Sequence, residues 1–205
     1  MNATNMHIKN IVFDFGGVLV DWNPRHLYRN VFDDEKAMED FLAHVCTDEW
    51  NAEQDRGRPL AEGTQLLQQQ FPEHHDLIGM YYGQWETMLR SDIPGTVSLL
   101  HRLKKKYHLY GLTNWSAETI PLAFSRYPFF KEFEGIVVSG EEKLIKPDKE
   151  IFHVLMDRYK ISPAESLFID DNVKNIHTAR QIGFHAIHFT TPEQLEHQLA
   201  ALQIL

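Results

Sequence analysis

The sequence contains almost no cysteine, since Cys46 is the single one among 205 residues. No internal disulfide can form, and a chain of this kind is expected in a reducing compartment. Cys46 follows an apolar, helix-like stretch at residues 41–45. We therefore expect a small buried thiol there rather than a nucleophile.

Long hydrophobic runs are missing as well. No stretch approaches the ~18 apolar residues that a membrane-spanning helix needs. The first ten residues, MNATNMHIKN, lack the pattern of a cleavable signal peptide. We therefore expect a cytoplasmic protein without a membrane partner.

Positive charge is scarce: the sequence has 20 Lys and Arg residues against 29 Asp and Glu residues, which gives a formal net charge of −9. This balance argues against nucleic acid or an anionic membrane as the main partner. The run Lys104–Lys106 is most simply a solvated helix end. The twelve histidines show no ligand spacing, and nothing in the sequence indicates an oligomeric state.

Alternating helix and strand patterns are present in the first 21 residues and beyond residue 92. The apolar run Ile11–Phe13 reads as a buried strand, and later strands are predicted at 108–113, 136–138, 166–169 and 184–189. Helical patterns separate these later strands. The order predicts an α/β fold with a Rossmann-like, mostly parallel sheet.

The segment between these parts, residues 22–91, has helical patterns throughout and no alternating strand pattern. Apolar residues recur at helical spacing in three groups: Phe41, Leu42 and Val45; Leu66, Leu67 and Phe71; Tyr81, Trp85, Met88 and Leu89. Such stripes are typical of a hydrophobic core. We predict a small helical module at 22–91, inserted into a core domain formed by 1–21 and 92–205.

Polar residues follow three of the predicted strands: Asp14, Thr113–Asn114 and Asp170–Asp171. Lys146 precedes Pro147 at the start of a predicted helix. Since the carboxyl ends of parallel strands share one edge of the sheet, we expect these side chains to meet. Clustered carboxylates favour Mg²⁺ over zinc, and a hydroxyl with an ammonium suits the oxygens of a phosphate.

Four motifs carry these residues, in the order FDFGGV, LTNWS, IKPD and FIDDNVKN. Together they resemble the four motifs of the haloacid dehalogenase (HAD) superfamily, and the resemblance extends from about residue 7 to 190. A helical insert between the first and second motifs is similar to the small cap of subclass I members. The resemblance implies a hydrolase with a core domain and a cap.

The resemblance implies a nucleophile and a metal site. Asp14 would form an aspartyl-phosphate intermediate. Asp14, Asp171 and the backbone carbonyl of Gly16 would hold Mg²⁺, with Asp170 close by or acting through water. An alternative interpretation of Asp170 and Asp171 is that they cap the following helix, and both roles can coexist.

The resemblance also implies groups that bind the substrate. Thr113 and Lys146 would bind the phosphoryl group that is transferred, and Asn114, beside Thr113, is a further candidate. Asn175 would hold the loop or Lys146 in place. The expected substrate is a small phosphorylated metabolite.

The sequence departs from the family pattern at Gly16, where related phosphatases carry a second Asp as general acid and base. A positioned proton donor is typically worth ~10²–10⁴ in rate. One hypothesis is a phosphatase whose leaving group needs little protonation, such as a sugar 1-phosphate; the motifs are similar to the branch that includes glucose-1-phosphate phosphatases. Asp21 or a water would then supply the proton, although a strand-end or helix-cap role suits Asp21 equally.

Two other hypotheses remain. A 2-haloacid dehalogenase needs no second Asp, but such enzymes use no Mg²⁺ and lack the acidic pair found here at Asp170–Asp171. The third is a binding protein of the same fold that has lost turnover.

Residues 49–58 are the most polar part of the helical module. Arg56, beside Gly57, is expected either to reach towards the substrate or to form a salt bridge within a loop. Trp22 and Trp115 each follow a motif closely, and for both we favour packing at the domain junction over lining the cleft.

Overall fold

The computed structural model describes residues 7–205, and the strands of this part of the chain form two sheets. The strands are short, three to six residues each. In chain order they are β1 (Asn10–Phe13), β2 (Val20–Trp22), β3 (Leu89–Asp92), β4 (His108–Thr113), β5 (Gly135–Val138), β6 (Ser166–Asp170) and β7 (His185–His188).

The larger sheet has the order β5-β4-β1-β6-β7, and all four of its pairings are parallel. β1 lies in the centre, where Phe13 is in register with Gly111 of β4 and Ile169 of β6. Every residue of β1 is buried. The α/β fold class with a mostly parallel sheet is therefore confirmed.

β2 and β3 form a separate antiparallel pair, in which Val20 is opposite Asp92. The chain between them, residues 23–88, is here called the helical insert. Its helices are α1 (Arg25–Tyr28), α2 (Glu35–His44), α3 (Asp48–Asp55), α4 (Leu60–Gln70), α5 (His75–Gly83) and α6 (Trp85–Met88), with a 3₁₀ turn at Pro72–His74.

Two details of the insert differ from the sequence-based prediction. The stripe from Tyr81 to Leu89 is not one helix, because α5 ends at Gly83 and Leu89 begins β3, where it pairs with Trp22. Leu66 is 48% exposed although its pattern predicted a core position, whereas its neighbour Leu67 is buried. Helical periodicity alone does not reveal which of two adjacent apolar residues is buried.

The remaining helices cover both faces of the larger sheet. They are α7 (Pro94–Leu103), α8 (Ile120–Arg126), α9 (Ser139–Glu142), α10 (Lys149–Tyr159), α11 (Val173–Gln181) and α12 (Pro192–Ala201), with 3₁₀ turns at Pro128–Glu132 and Pro163–Glu165. Successive residues of β1 point to opposite faces. Ile11 and Phe13 accordingly pack in one hydrophobic layer, and Val12 packs in the other with Phe168.

Cys46 is buried in the insert, and burial raises the pKa of its thiol to about 12. It therefore stays protonated and unreactive, as the sequence predicted. None of the helices in residues 7–205 combines the length and the apolar character that crossing a bilayer requires.

Candidate active site

The carboxyl ends of three neighbouring strands bring the predicted polar residues together. Asp14 directly follows β1, Thr113 is the buried last residue of β4, and Asp170 is the last residue of β6. Asp14, Asp170 and Asp171 each place a carboxylate oxygen within 4.8 Å of the others. Asp14 and Asp170 are buried, and Asp171 is exposed. The acidic cluster thus has a closed side and a side open to solvent.

Lys146 joins this cluster from the loop before α10. Its side chain is fully buried, with Nζ 3.0 Å from Oδ1 of Asp14 and 2.7 Å from Oδ2 of Asp170. Burial alone would lower the pKa of the ammonium, but the two carboxylates outweigh it and raise the pKa. Lys146 therefore carries a positive charge at the nucleophile expected from the resemblance.

Asn114 holds the backbone of Lys146. Its Nδ2 donates to the Lys146 carbonyl at 3.0 Å, and its Oδ1 accepts from the Lys146 backbone N–H at 2.9 Å. The side chain we expected to bind substrate thus positions the neighbouring lysine.

Asn175 contacts Asp170 rather than Lys146. Its Nδ2 donates to both carboxylate oxygens of Asp170, each at 3.0 Å. The cap of α11 is Asn172, whose side chain accepts from the backbone N–H of Lys174. Asp171 is therefore not used as the helix cap, and its carboxylate remains available at the open side of the cluster.

Electrostatics in the cluster favour an additional cation. The pKa of Asp14 is raised to about 8: burial raises it most, the charge of Lys146 lowers it, and the charges of Asp170 and Asp171 raise it. The pKa of Asp171 is also raised, first by partial desolvation of its carboxylate beside the buried groups and second by the charge of Asp170. Three carboxyl groups share one ammonium. Their oxygen-only donor set fits Mg²⁺ and does not fit zinc, which prefers nitrogen and sulfur.

Two consecutive glycines shape the loop after Asp14. Gly17 has φ +74°, and a Cβ on it would lie 2.3 Å from Oδ2 of Asp171. A side chain at 17 would therefore displace the Asp171 carboxylate. A Cβ on Gly16 would meet no atom within 4 Å, so the space beside position 16 is open.

A cleft of about 50 Å³ begins at Gly16 and runs between the core and the helical insert. Four aromatic side chains and several polar groups form its wall. The lining residues are Gly16, Trp22, Asn51, Asp55, Tyr82, Trp85, Asn114, Trp115, Ser116 and Thr119. The cleft therefore lies next to the acidic cluster, on the side of Gly16.

Both tryptophans for which we favoured packing also line this cleft. Trp115 is buried, lies 5.7 Å from the ring of Trp85, and donates from Nε1 to Thr119 at 3.0 Å. The indole N–H of Trp22 is buried and has no partner within the described residues. Packing and lining are thus combined at the same positions.

Two predicted candidates lie away from the cleft wall. Nη1 of Arg56 is 3.0 Å from Oδ2 of Asp148, so Arg56 forms a salt bridge, but to a loop of the core rather than within its own loop as one of its two expected roles had it. Asp21 lies 2.9 Å from Nε2 of His26, and its side chain is 40% exposed. Neither residue belongs to the cleft lining.

Sequence reasoning missed Asn51, Asp55 and Tyr82. Asn51 and Asp55 are four residues apart on α3, and the Asn51 amide donates to Oδ2 of Asp55 at 2.9 Å. Their spacing places them on one helix face. Nothing in the sequence distinguishes this face from the exposed faces of the same polar stretch.

The sequence pattern of the family described as haloacid dehalogenase-like hydrolase matches residues 8–183. Two characterised proteins are similar over most of their length. A sesquiterpene phosphatase of Aspergillus oryzae is 28% identical over 184 residues, which is 89% of this chain and 90% of the relative. A D-ribitol-5-phosphate phosphatase of Bacteroides thetaiotaomicron is 28% identical over 195 residues, covering 86% and 89%.

Solved structures share the fold. A HAD family enzyme from Bacteroides thetaiotaomicron is 25% identical with a TM-score of 0.72, covering 94% of this chain and 98% of that one. The same enzyme has been solved as a magnesium complex, at 24% identity and a TM-score of 0.73 over 94% and 98% of the two chains.

Proposed function

The chain belongs to the haloacid dehalogenase-like hydrolase family, and we propose that it is a Mg²⁺-dependent phosphatase that cleaves a small phosphomonoester through an aspartyl-phosphate on Asp14. One observation carries the proposal: the Asp14 carboxylate lies 3.0 Å from a fully buried Lys146, inside a cluster with Asp170 and Asp171. The two relatives named as phosphatases support it.

In this mechanism a carboxylate oxygen of Asp14 attacks phosphorus, and the bond from phosphorus to the ester oxygen breaks. Lys146 and the hydroxyl of Thr113 bind the non-bridging oxygens and offset their negative charge. Water then attacks the phosphorus of the acyl phosphate, which releases inorganic phosphate and regenerates Asp14.

The residues present fit a magnesium ion. Asp14, Asp171 and the carbonyl of Gly16 would hold it, while Asp170 is already engaged by Lys146 and Asn175. When bound, the ion adds positive charge beside the phosphoryl group and orients it towards the nucleophile. The magnesium complex of the structural neighbour is consistent with this assignment.

We further propose that residues 22–91 act as a cap over a core made of 1–21 and 92–205. The cleft between the two parts holds only about 50 Å³, which is room for one or two water-sized groups. A substrate would therefore enter when the cap moves away from the core. The antiparallel pair β2–β3 is the place where such a movement would be absorbed.

The chemical class of the alcohol that leaves distinguishes the possible substrates. A sugar 1-phosphate releases an anomeric hydroxyl, which is less basic than an ordinary alcohol and needs less protonation. Ribitol 5-phosphate, in the name of one relative, is an ester of a primary alcohol. We keep the sugar 1-phosphate as one member of the proposed substrate class, and comparing anomeric with alkyl esters tests it.

A phosphate-release screen tests the proposal. With Mg²⁺, we expect turnover of sugar, alkyl and aryl phosphates, and its loss in Asp14→Asn, because an amide cannot act as the nucleophile. Excess chelator should also abolish turnover. Asp40→Asn, which alters an exposed carboxylate on α2, is the matched control. Undiminished turnover with chelator, together with chloride release from a 2-haloacid, would instead identify a dehalogenase.

A further inference from the structure

The proton that the departing alcohol needs has no donor at position 16. Gly16 has no side chain, and the space that a side chain would take there is open to the cleft. Leaving an alkoxide unprotonated costs ~10²–10⁴ in rate. A donor on the opposite wall of the cleft would make up this loss.

Asp55 is the carboxyl group on that opposite wall. It is the last residue of α3, and within the described residues that line the cleft it is the single acid. Gly16 lines the same cleft from the core side. The cleft thus has the acidic cluster adjoining one wall and Asp55 on the other.

Two contacts hold Asp55 against the core. The hydroxyl of Ser139 donates to the Asp55 carbonyl at 2.5 Å and accepts from the backbone N–H of Trp115 at 2.8 Å. The Arg56–Asp148 salt bridge fastens the next residue to the loop after Lys146. These contacts connect the end of α3 to the loops that follow β4 and precede α10.

The chemistry of Asp55 suits proton transfer near neutral pH. Burial raises the pKa of its carboxyl to about 7, although hydrogen bonds from Ser116 and Asn51 lower it in part. The tyrosines that face it from α5, Tyr81 and Tyr82, have pKa values raised by burial and stay neutral. A group that titrates near the working pH can both give and take a proton.

Building on the proposed phosphatase, we propose that Asp55 of the helical insert is the general acid and base that the core lacks at Gly16. As the bond from phosphorus to the ester oxygen breaks, the Asp55 carboxyl gives its proton to that oxygen and becomes a carboxylate. It then takes a proton from the water that attacks the acyl phosphate, and so returns to its starting state.

The other candidate for this role has a different partner. Asp21 is bound to His26 and lies outside the cleft lining. In the cleft, the Tyr82 hydroxyl donates to Oδ1 of Asn51 at 2.8 Å, and Thr119 accepts from Trp115. Among the described residues that line the cleft, Asp55 is the one with a carboxyl group, and the hydrogen bonds it receives from Asn51 and Ser116 use it as an acceptor.

The test compares leaving groups of different basicity. We would measure kcat/KM with Mg²⁺ for p-nitrophenyl phosphate, phenyl phosphate and an alkyl phosphate, in wild type, Asp55→Asn and Glu53→Gln. Glu53 is an exposed carboxylate on the same helix and serves as the matched control. Asp55→Asn should lose about 10²-fold or more on phenyl and alkyl phosphates but only a few-fold on p-nitrophenyl phosphate, whose leaving group needs no proton.

A purely structural role would lower all three rates by the same factor and would overturn the proposal, as would an Asp55→Asn variant with unchanged rates. Two further variants guard against misfolding. Asp55→Glu keeps an acid and should keep the wild-type dependence on the leaving group. Gly16→Asp in the Asp55→Asn background places a carboxyl group at position 16 and should restore the wild-type dependence of kcat/KM on the leaving group. If the double variant folds but its kcat/KM depends on the leaving group as strongly as that of Asp55→Asn, the placement of the donor is contradicted.

The failure of this proposal differs from a failure of the proposed function. If Asp14→Asn hydrolyses p-nitrophenyl phosphate as wild type does, the nucleophile is wrong and both proposals fall. If Asp14→Asn is inactive, but the loss of kcat/KM that Asp55→Asn causes is the same for all three phosphate esters, only the assignment of Asp55 as the acid is wrong.

Discussion

Gly16 and Gly17 are adjacent, yet different constraints act on them. Gly17 combines a left-handed backbone with a neighbour, Oδ2 of Asp171, 2.3 Å from where a Cβ would stand. Any side chain there would be strained and would push the carboxylate away. Gly16 has neither constraint. A Cβ at position 16 would meet no neighbouring atom, so space at that atom does not require a glycine there.

At the scale of single residues, the functional positions at the ends of the strands could be predicted from the sequence. Asp14, Asp170 and Lys146 follow from the parallel-sheet pattern and the four motifs, and the structure brings all three together. The observed contacts of Asn114 and Asp55 could not be predicted from the sequence. The Asn114 side chain bonds to the backbone of Lys146, 32 residues away, and the backbone carbonyl of Asp55 accepts from Ser139, 84 residues away; no local pattern encodes such contacts.

The protonation of Asp55 predicts how stability depends on pH. Its carboxyl pKa rises from the ordinary 3.8 to about 7 in the folded chain. Between these values the folded state holds a proton that the unfolded state has released. This stabilisation is complete below the lower pKa, and it is lost as the pH rises through the higher one.

We therefore expect wild type to lose more unfolding free energy than Asp55→Asn between about pH 5 and about pH 8, measured by urea unfolding without Mg²⁺. Asp14 titrates in both proteins, so its contribution cancels in the comparison. Glu53→Gln should follow wild type. Parallel curves for wild type and Asp55→Asn would show that the Asp55 carboxyl is already ionised at the lower pH.

At the scale of elements, the end of α3 is fastened to the core through one buried hydroxyl. Ser139, the first residue of α9, accepts from the Trp115 backbone and donates to the Asp55 carbonyl. Close packing accompanies these bonds, since a Cβ on Gly57 would lie 3.0 Å from the Gly140 carbonyl. Ser139 therefore joins α3, α9 and the loop after β4.

Ser139→Ala removes this junction and leaves the Trp115 backbone N–H buried without an acceptor. We expect a loss of ~1–3 kcal/mol in the free energy of unfolding. Ser125→Ala is the control, because its exposed hydroxyl bonds only to Leu122 in its own helix and should cost within about 0.5 kcal/mol. Equal effects in the two variants, by urea unfolding, would contradict the junction.

The elements of the sheet were predicted better than those near the insert. Strands buried on both faces, such as β1, produce compact apolar runs that are readable in the sequence. β2 and β3 were missed, because each is three or four residues long and lies beside a helical pattern. Their pairing across the insert depends on a contact between Val20 and Asp92, 72 residues apart.

At the scale of the whole molecule, the two parts divide the proposed reaction. The sheet edge supplies the nucleophile, the ammonium and the carboxylates that handle the phosphoryl group. The insert supplies an aromatic wall and Asp55, which would handle the leaving group. Because the motifs lie in the core, the sequence predicted the first half of the site and left the second unseen.

The proposed mechanism requires that Asp14 is phosphorylated during turnover. Acid quenching during turnover of p-nitrophenyl phosphate with Mg²⁺, followed by borohydride reduction, would convert an aspartyl-phosphate into homoserine. Peptide mass spectrometry should find homoserine at position 14 in wild type and none in Asp14→Asn. Phosphate release with Asp14 unmodified, or with homoserine at another aspartate, would contradict the account.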